Sequence, residues 1–272
     1  MEILIDPIVD ALKTLPFLFL AFLLVEYLTS KNVINKVLEH GKLGPVVGSF
    51  LGSIPQCGFS VIAARLYSMR YITMGTILAI FMATSDEALP ILIVHPQFFG
   101  GMMLLIILKI IVGALTGLSV DWLNHKNDKD YEWIQIEDCQ CGCQNGILKP
   151  AITHTLKIFA FILGTNIAMT LLMAVIGEAT VESVLKSHSL LQPVFAGLVG
   201  FIPNCSGSVI LTQLYIQGNL TFGALFTGLT TSAGVGTFAL VTYNENKKDT
   251  LKVLAISYIV ALILGYLLVL IL

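Results

Sequence analysis

The sequence predicts an all-α polytopic membrane protein. It is built of two inverted-topology repeats of about five helices each, with re-entrant hairpins and discontinuous helices meeting at the midplane. Three observations predict it: apolar runs in two sets of four, an ungapped internal repeat, and a Lys/Arg distribution that reverses between the halves. Of the 272 residues, 56% are hydrophobic and 12% charged, about half the charge of a soluble domain.

The apolar segments cover residues 12–28, 43–66, 72–94 and 98–120, and then 152–176, 190–216, 220–243 and 251–272. Each set of four is read as one membrane repeat. The boundaries are 1–120 for the first repeat, 121–150 for a polar linker and 151–272 for the second. The opening residues, MEILIDPIVDALKT, carry acids where a secretory signal has Lys or Arg, and no small-residue cleavage site. The formal net charge of −2 comes with no basic patch or arm, which argues against nucleic acid as a partner.

The repeat is explicit in the residues. Gly52-Ser-Ile-Pro-Gln-Cys-Gly-Phe-Ser-Val-Ile62 aligns with Gly200-Phe-Ile-Pro-Asn-Cys-Ser-Gly-Ser-Val-Ile210 at an offset of 148. Leu66-Tyr67 then matches Leu214-Tyr215, and Thr73 and Gly75 match Thr221 and Gly223. From Gly52 to Gly75 there are 11 identities in 24 columns, where chance gives roughly two. Shared Pro, Cys and Gly are not what two unrelated apolar helices hold in common.

Charge gives the orientation. Lys31, Lys36 and Lys42 precede the second span and Arg65 and Arg70 follow it, whereas residues 177–190 and 213–219 carry one Lys and no charge. The turn at His95-Pro-Gln97 has no Lys or Arg, but its counterpart at 243–252 has Lys247, Lys248 and Lys252. The positive-inside rule then gives the halves opposite orientations, a pattern found in secondary transporters. Both termini are expected outside the cell membrane and the 121–150 linker in the cytoplasm. Segment 43–66 has basic residues at both ends and a Pro-Gln-Cys-Gly break in its middle, so each arm of about 11 residues spans about 16 Å, half a bilayer. It reads as a re-entrant hairpin with its tip at 55–58, mirrored by segment 190–216 with its tip at 203–207. The alternative is a pair of full, tilted, Pro-kinked helices, which the Lys/Arg pattern disfavours.

The next segment of each half is interrupted too. Phe81-Met-Ala-Thr-Ser-Asp-Glu-Ala-Leu-Pro90 and Leu229-Thr-Thr-Ser-Ala-Gly-Val-Gly-Thr-Phe238 place hydroxyls, Gly and Pro inside apolar runs. An unwound helix there frees backbone groups to hold a solute. The expected solute site comprises Gln56, Cys57, Ser60, Thr84, Ser85, Asp86, Glu87, Asn204, Cys205, Ser206, Ser208, Thr231 and Ser232. Asp86 and Glu87 are the sharpest signal, since carboxylates inside a bilayer are costly; the competing placement is the outer interface. Gly234 and Val235 occupy their positions in the second half, which makes the site asymmetric. Cys57 and Cys205 are either ligands of a soft or borderline cation, together with Asp86 and Glu87, or tightly packed small residues. Lys109, inside the 98–120 span, pairs with a carboxylate or snorkels.

Of the five cysteines, three stand in the linker as Asp138-Cys-Gln-Cys-Gly-Cys143. Cys139, Cys141 and Cys143 at alternate positions suit one thiophilic metal or metalloid ion better than a disulfide framework, with His154 a candidate fourth ligand. Oxidation in pairs, or no role, is the other reading.

The segments Ser-Ile-Pro-Gln-Cys-Gly-Phe-Ser60 and Phe201-Ile-Pro-Asn-Cys-Ser-Gly-Ser-Val-Ile-Leu-Thr-Gln-Leu-Tyr215 resemble a family of ten-transmembrane heavy-metal exporters, also labelled arsenic efflux or manganese transporter-like permeases. So does the Cys-bearing linker followed by Gly146-Ile-Leu-Lys-Pro-Ala-Ile-Thr-His-Thr-Leu-Lys157. The resemblance spans nearly the whole chain. It implies metal or metalloid export and ten membrane-inserted helices, five per half.

Secondary-active export of a metal or metalloid is therefore the expected function. The alternative is a secondary transporter of a small organic or inorganic anion, with Asp86 and Glu87 as proton or sodium sites. An intramembrane enzyme is disfavoured, because no His/Cys or paired-Asp arrangement sits on separate helices. No nucleotide-binding motif is present for direct ATP drive. No cofactor is expected, since a bound metal ion would be substrate. The expected partners are lipid, the metal or metalloid and a coupling proton or sodium ion. The sequence leaves the oligomeric state open, a homodimer being compatible with it.

Overall fold

The structure is a computed structural model that describes residues 43–54, 57–84, 88–124, 191–202 and 205–271, with a few single positions at 16 and 19 and between 152 and 167. Every regular element among them is a helix. They are α1 (Gly44–Gly52), α2 (Cys57–Ser68), α3 (Met74–Ala83), α4 (Ala88–Ile93), a 3₁₀ turn (Pro96–Phe98) and α5 (Phe99–Asn124). After the linker come α6 (Gln192–Gly200), α7 (Cys205–Ile216), α8 (Phe222–Thr231), α9 (Val235–Tyr243) and α10 (Lys247–Ile271). Three stretches among the described residues are long and apolar enough to cross a membrane: Pro96–Asn124, Phe222–Tyr243 and Lys247–Ile271. The chain is an all-helical polytopic membrane protein.

The 148-residue offset of the sequence recurs in the backbone. α1 and α6 begin at 44 and 192, α2 and α7 at 57 and 205, and α3 and α8 at 74 and 222, each pair differing by 148. Thr73 and Thr221 both cap the following helix, each hydroxyl accepting from a backbone N–H three residues on. After α2 and α7 the chain turns through positive φ at Arg70 (62°) and Gly218 (74°). Matching reverse-turn bonds run from Arg70 N–H to Tyr67 O and from Gly218 N–H to Tyr215 O.

α3 is buried along all ten of its residues, and α8 along all but its first. Such helices must be central, because an all-round apolar helix has no face to give to water or headgroups. α1 and α5 pack on α3, and α6 and α10 pack on α8. α5 buries Met102, Leu105, Lys109, Val112, Gly113, Thr116, Gly117 and Val120, a stripe at three- and four-residue spacing. Its other side exposes Met103, Leu104, Ile107, Ile111 and Leu115, the apolar surface that lipid requires. α10 likewise buries Val253, Ser257, Ala261 and Gly265 and exposes Ile259, Ile263 and Leu267.

Close helix approach rests on glycine. A Cβ on Gly75 would strike the Gly117 carbonyl, and one on Gly223 the Gly265 carbonyl; 75 to 223 and 117 to 265 are again 148 apart. The start of α3 is further tied to the end of α5. The Asp121 carboxylate accepts from the Thr73 hydroxyl at 2.6 Å and the Gly75 N–H at 2.8 Å. Its counterpart in the second half is Val269. Asp121→Ala removes two hydrogen bonds to a charged acceptor and a carboxylate from a helix N-terminus. It is expected to cost on the order of 2 kcal/mol and to lower the thermal unfolding midpoint by several degrees, with Val269→Ala in the second half as the comparison. Equal midpoints for Asp121→Ala and the parent would remove this tie from the account.

The remaining helices pack across the halves. α2 lies on α9, and α4 lies against α7. A Cβ on Gly236 would meet Ser60, near the starts of α9 and α2. Just beyond their ends Arg70 pairs with Asp249 at 3.2 Å. The two helices therefore run parallel, first turn beside first turn.

Candidate functional site

Both interrupted helices are present, and each break is shorter than the sequence suggests. α3 ends at Ala83 and α4 begins at Ala88. Pro90 lies inside α4, in its first turn, where a helix tolerates the missing N–H. In the second half only 232–234 separate α8 from α9. Gly234 makes that turn at φ 52°, ψ −135°, a conformation open to glycine alone.

The breaks are placed by α5. The start of α3 contacts Asp121, near the end of α5. The start of α8 lies at the other end, where Phe222 and Tyr215 sit against Gly101. The 20 residues from Gly101 to Asp121 span about 30 Å, one hydrocarbon thickness. From these opposite ends α3 and α8 run inward, and both stop at Lys109. Its ammonium donates to Thr84 O, just past α3, and to Leu229 O in the last turn of α8, the latter at 2.7 Å. Lys109 is 1% exposed. It does not snorkel; its partners include helix-end carbonyls, which carry the negative end of each helix dipole.

Of the other expected site residues, Thr84, Thr231 and Ser232 lie at these helix ends. Thr84 is buried and its hydroxyl donates to Ile80 O at 2.8 Å, leaving its carbonyl for Lys109. Thr231 is buried with its hydroxyl 2.9 Å from Gly197 O and 3.0 Å from Gly228 O, so it ties α8 to α6. Ser232 is buried at the break itself. Ser60 and Ser208, 148 apart, are buried near the starts of α2 and α7. Gln56, Ser85, Asp86, Glu87, Asn204, Cys139, Cys141 and Cys143 lie outside the described residues, as do the side chains of Cys57, Cys205 and Ser206. The backbones of Cys57 and Cys205 open α2 and α7. Among the described residues no three His, Cys, Asp or Glu come together.

Two features were not legible beforehand. The role of Lys109 depends on which carbonyls reach it, one of them 120 residues away in sequence. Thr237, in the first turn of α9, is 7% exposed, and its hydroxyl has no partner among the described residues. Its signal was a Thr directly after Gly234-Val-Gly236, a pattern that packing alone also produces.

No curated protein and no solved structure matches the chain. The sequence profile of one family matches residues 3–177 and 156–271, almost the full length. A buried lysine where two discontinuous helices end, inside an all-helical apolar chain, fits the membrane-transport character of that family. The chain belongs to the family described as "Putative, 10TM heavy-metal exporter".

Proposed function

We propose that the protein is a secondary-active transporter that exports a metal or metalloid ion through a site between its two interrupted helices. One observation carries the reading: α3 and α8 start at opposite ends of α5 and end together at Lys109. Opposed half-helices that stop in mid-membrane are how secondary transporters build a solute site. The same directions, with the 148-residue offset, support an inverted repeat. The Arg70–Asp249 pair supports a common cytoplasmic side for the turn after α2 and the loop before α10. In this reading Asp86 and Glu87 enter the gap between α3 and α4 and hold the ion, and Cys57 and Cys205 face it from the hairpin tips. Cys139, Cys141 and Cys143 capture the ion in the cytoplasm before it enters. The absence of a nucleotide-binding motif in the sequence favours gradient-driven exchange.

A second reading, transport of a small anion, is favoured by a different feature. α2 and α9 bring two helix N-termini together, and the Thr237 hydroxyl is buried there without a partner among the described residues. One experiment separates the two: the purified protein in liposomes, assayed for flux of Mn²⁺, Zn²⁺, trivalent arsenic, arsenate and phosphate. Flux of the first three, and none of the last two, is expected. Flux of the oxyanions alone would select the second reading, and flux of none would remove both.

A further inference from the structure

A lysine ammonium and an alkali ion ask for the same surroundings: several oxygen atoms, each with a lone pair and partial negative charge. In transporters with discontinuous helices, half-helix C-terminal carbonyls are where a coupling Na⁺ is held. Here two such carbonyls, Thr84 O and Leu229 O, one from each half, converge on Lys109 Nζ. The lysine is fully buried and lies in the middle of a helix whose other buried residues are apolar or small. A buried charge this deep is costly and is retained where it serves a site. The counterpart of Lys109 is Ser257, whose hydroxyl donates within its own helix to Leu254 O at 2.8 Å. The repeat therefore supplies one ammonium for two helix ends, placed between the halves.

We propose that Lys109 is a tethered cation occupying the position of a coupling alkali ion, so that transport is independent of sodium and potassium. The ammonium bridges α3 and α8 permanently, as a bound ion would bridge them only when present. Any gradient that drives transport then acts elsewhere, with the proton the remaining common coupling ion. This inference rests on the transporter reading only in calling the position a coupling site. The occupancy of the carbonyl pair is read without any transport assay.

The test is thermal unfolding of the full-length protein in detergent with NaCl, KCl, LiCl or choline chloride at equal ionic strength. The parent is expected to unfold at one temperature in all four salts. Lys109→Ala opens the position and leaves the carbonyls; it is expected to be less stable in choline and to recover by about 3–5 °C with an alkali ion at tenfold excess over its Kd. Lys109→Met refills the volume without a charge and is expected to show no such recovery. If Lys109→Ala cannot be extracted folded in choline, recovery of monodisperse protein on extraction in an alkali salt supports the proposal, and failure in every salt overturns it. A folded Lys109→Ala indifferent to all three alkali ions also overturns it. So does a parent protein whose flux in liposomes is driven by a sodium or potassium gradient. Absence of flux for every tested solute removes the transporter reading and leaves the unfolding result to decide the cation site.

Discussion

Gly75→Val and Gly223→Val are each expected to abolish recovery of folded protein, whereas Gly100→Ala is expected to be neutral or mildly stabilising. The three glycines differ in what a side chain would meet. At Gly75 a Cβ collides with the Gly117 carbonyl and the Asp121 carboxylate, and at Gly223 with the Gly265 carbonyl and Val269. Carbonyls belong to the backbone of α5 and α10, so relief requires moving a whole helix and not a rotamer. Overpacking a core ordinarily costs about 1–3 kcal/mol. Here the collision is with backbone, and two further γ-methyls follow, so the loss should exceed that range. At Gly100 no atom lies within 4 Å of the added Cβ, and replacing a helical glycine by alanine gains up to about 1 kcal/mol. Detergent extraction, gel filtration and thermal unfolding measure all three. Folded Gly75→Val and Gly223→Val with parental midpoints would mean that the helices are not this close.

The glycine pairs also indicate how much of the fold the sequence carries. Gly75 and Gly223 were visible as identical residues of the internal repeat, and the spans and breaks were visible as apolar runs interrupted by Ser, Thr, Gly and Pro. Those features depend on a helix's own residues. What depended on neighbours was not legible. The sequence predicts that hairpins and discontinuous helices of the two halves meet at the midplane, without saying which helix meets which. In the structure α2 of the first half lies on α9 of the second, and Gly236 sits against Ser60 with no room for a side chain. Helices this uniformly apolar carry little directional pattern, so choice of neighbour falls to small residues and shape. Pro90 shows the opposite error: its residue type suggested a break, yet its place in the first turn of α4 makes it compatible with helix. Lys109 was visible as an anomaly, but its meaning lay in two carbonyls from α3 and α8.

Asp86→Asn and Glu87→Gln are each expected to cut metal flux in liposomes by at least about 10–100-fold, the scale found when even the outer-shell partners of metal ligands are removed, and the double variant is expected to be inactive. The two residues immediately precede α4, which begins at Ala88. They follow Thr84, whose carbonyl receives Lys109 midway along α5. Their second-half counterparts, Gly234 and Val235, carry no charge, so of the two interrupted segments only the first has acids. Amide replacement keeps the shape of each side chain, removes the charge and exchanges one acceptor oxygen for a donor NH2, so folding should be unchanged by circular dichroism and gel filtration. A carboxylate that gives up a proton to take a cation also makes flux fall as the pH is lowered, because protons then compete for the ligand. Each variant should lose part of that dependence. Parental flux from both single variants, with the parental pH profile, would move the ion site away from the gap between α3 and α4.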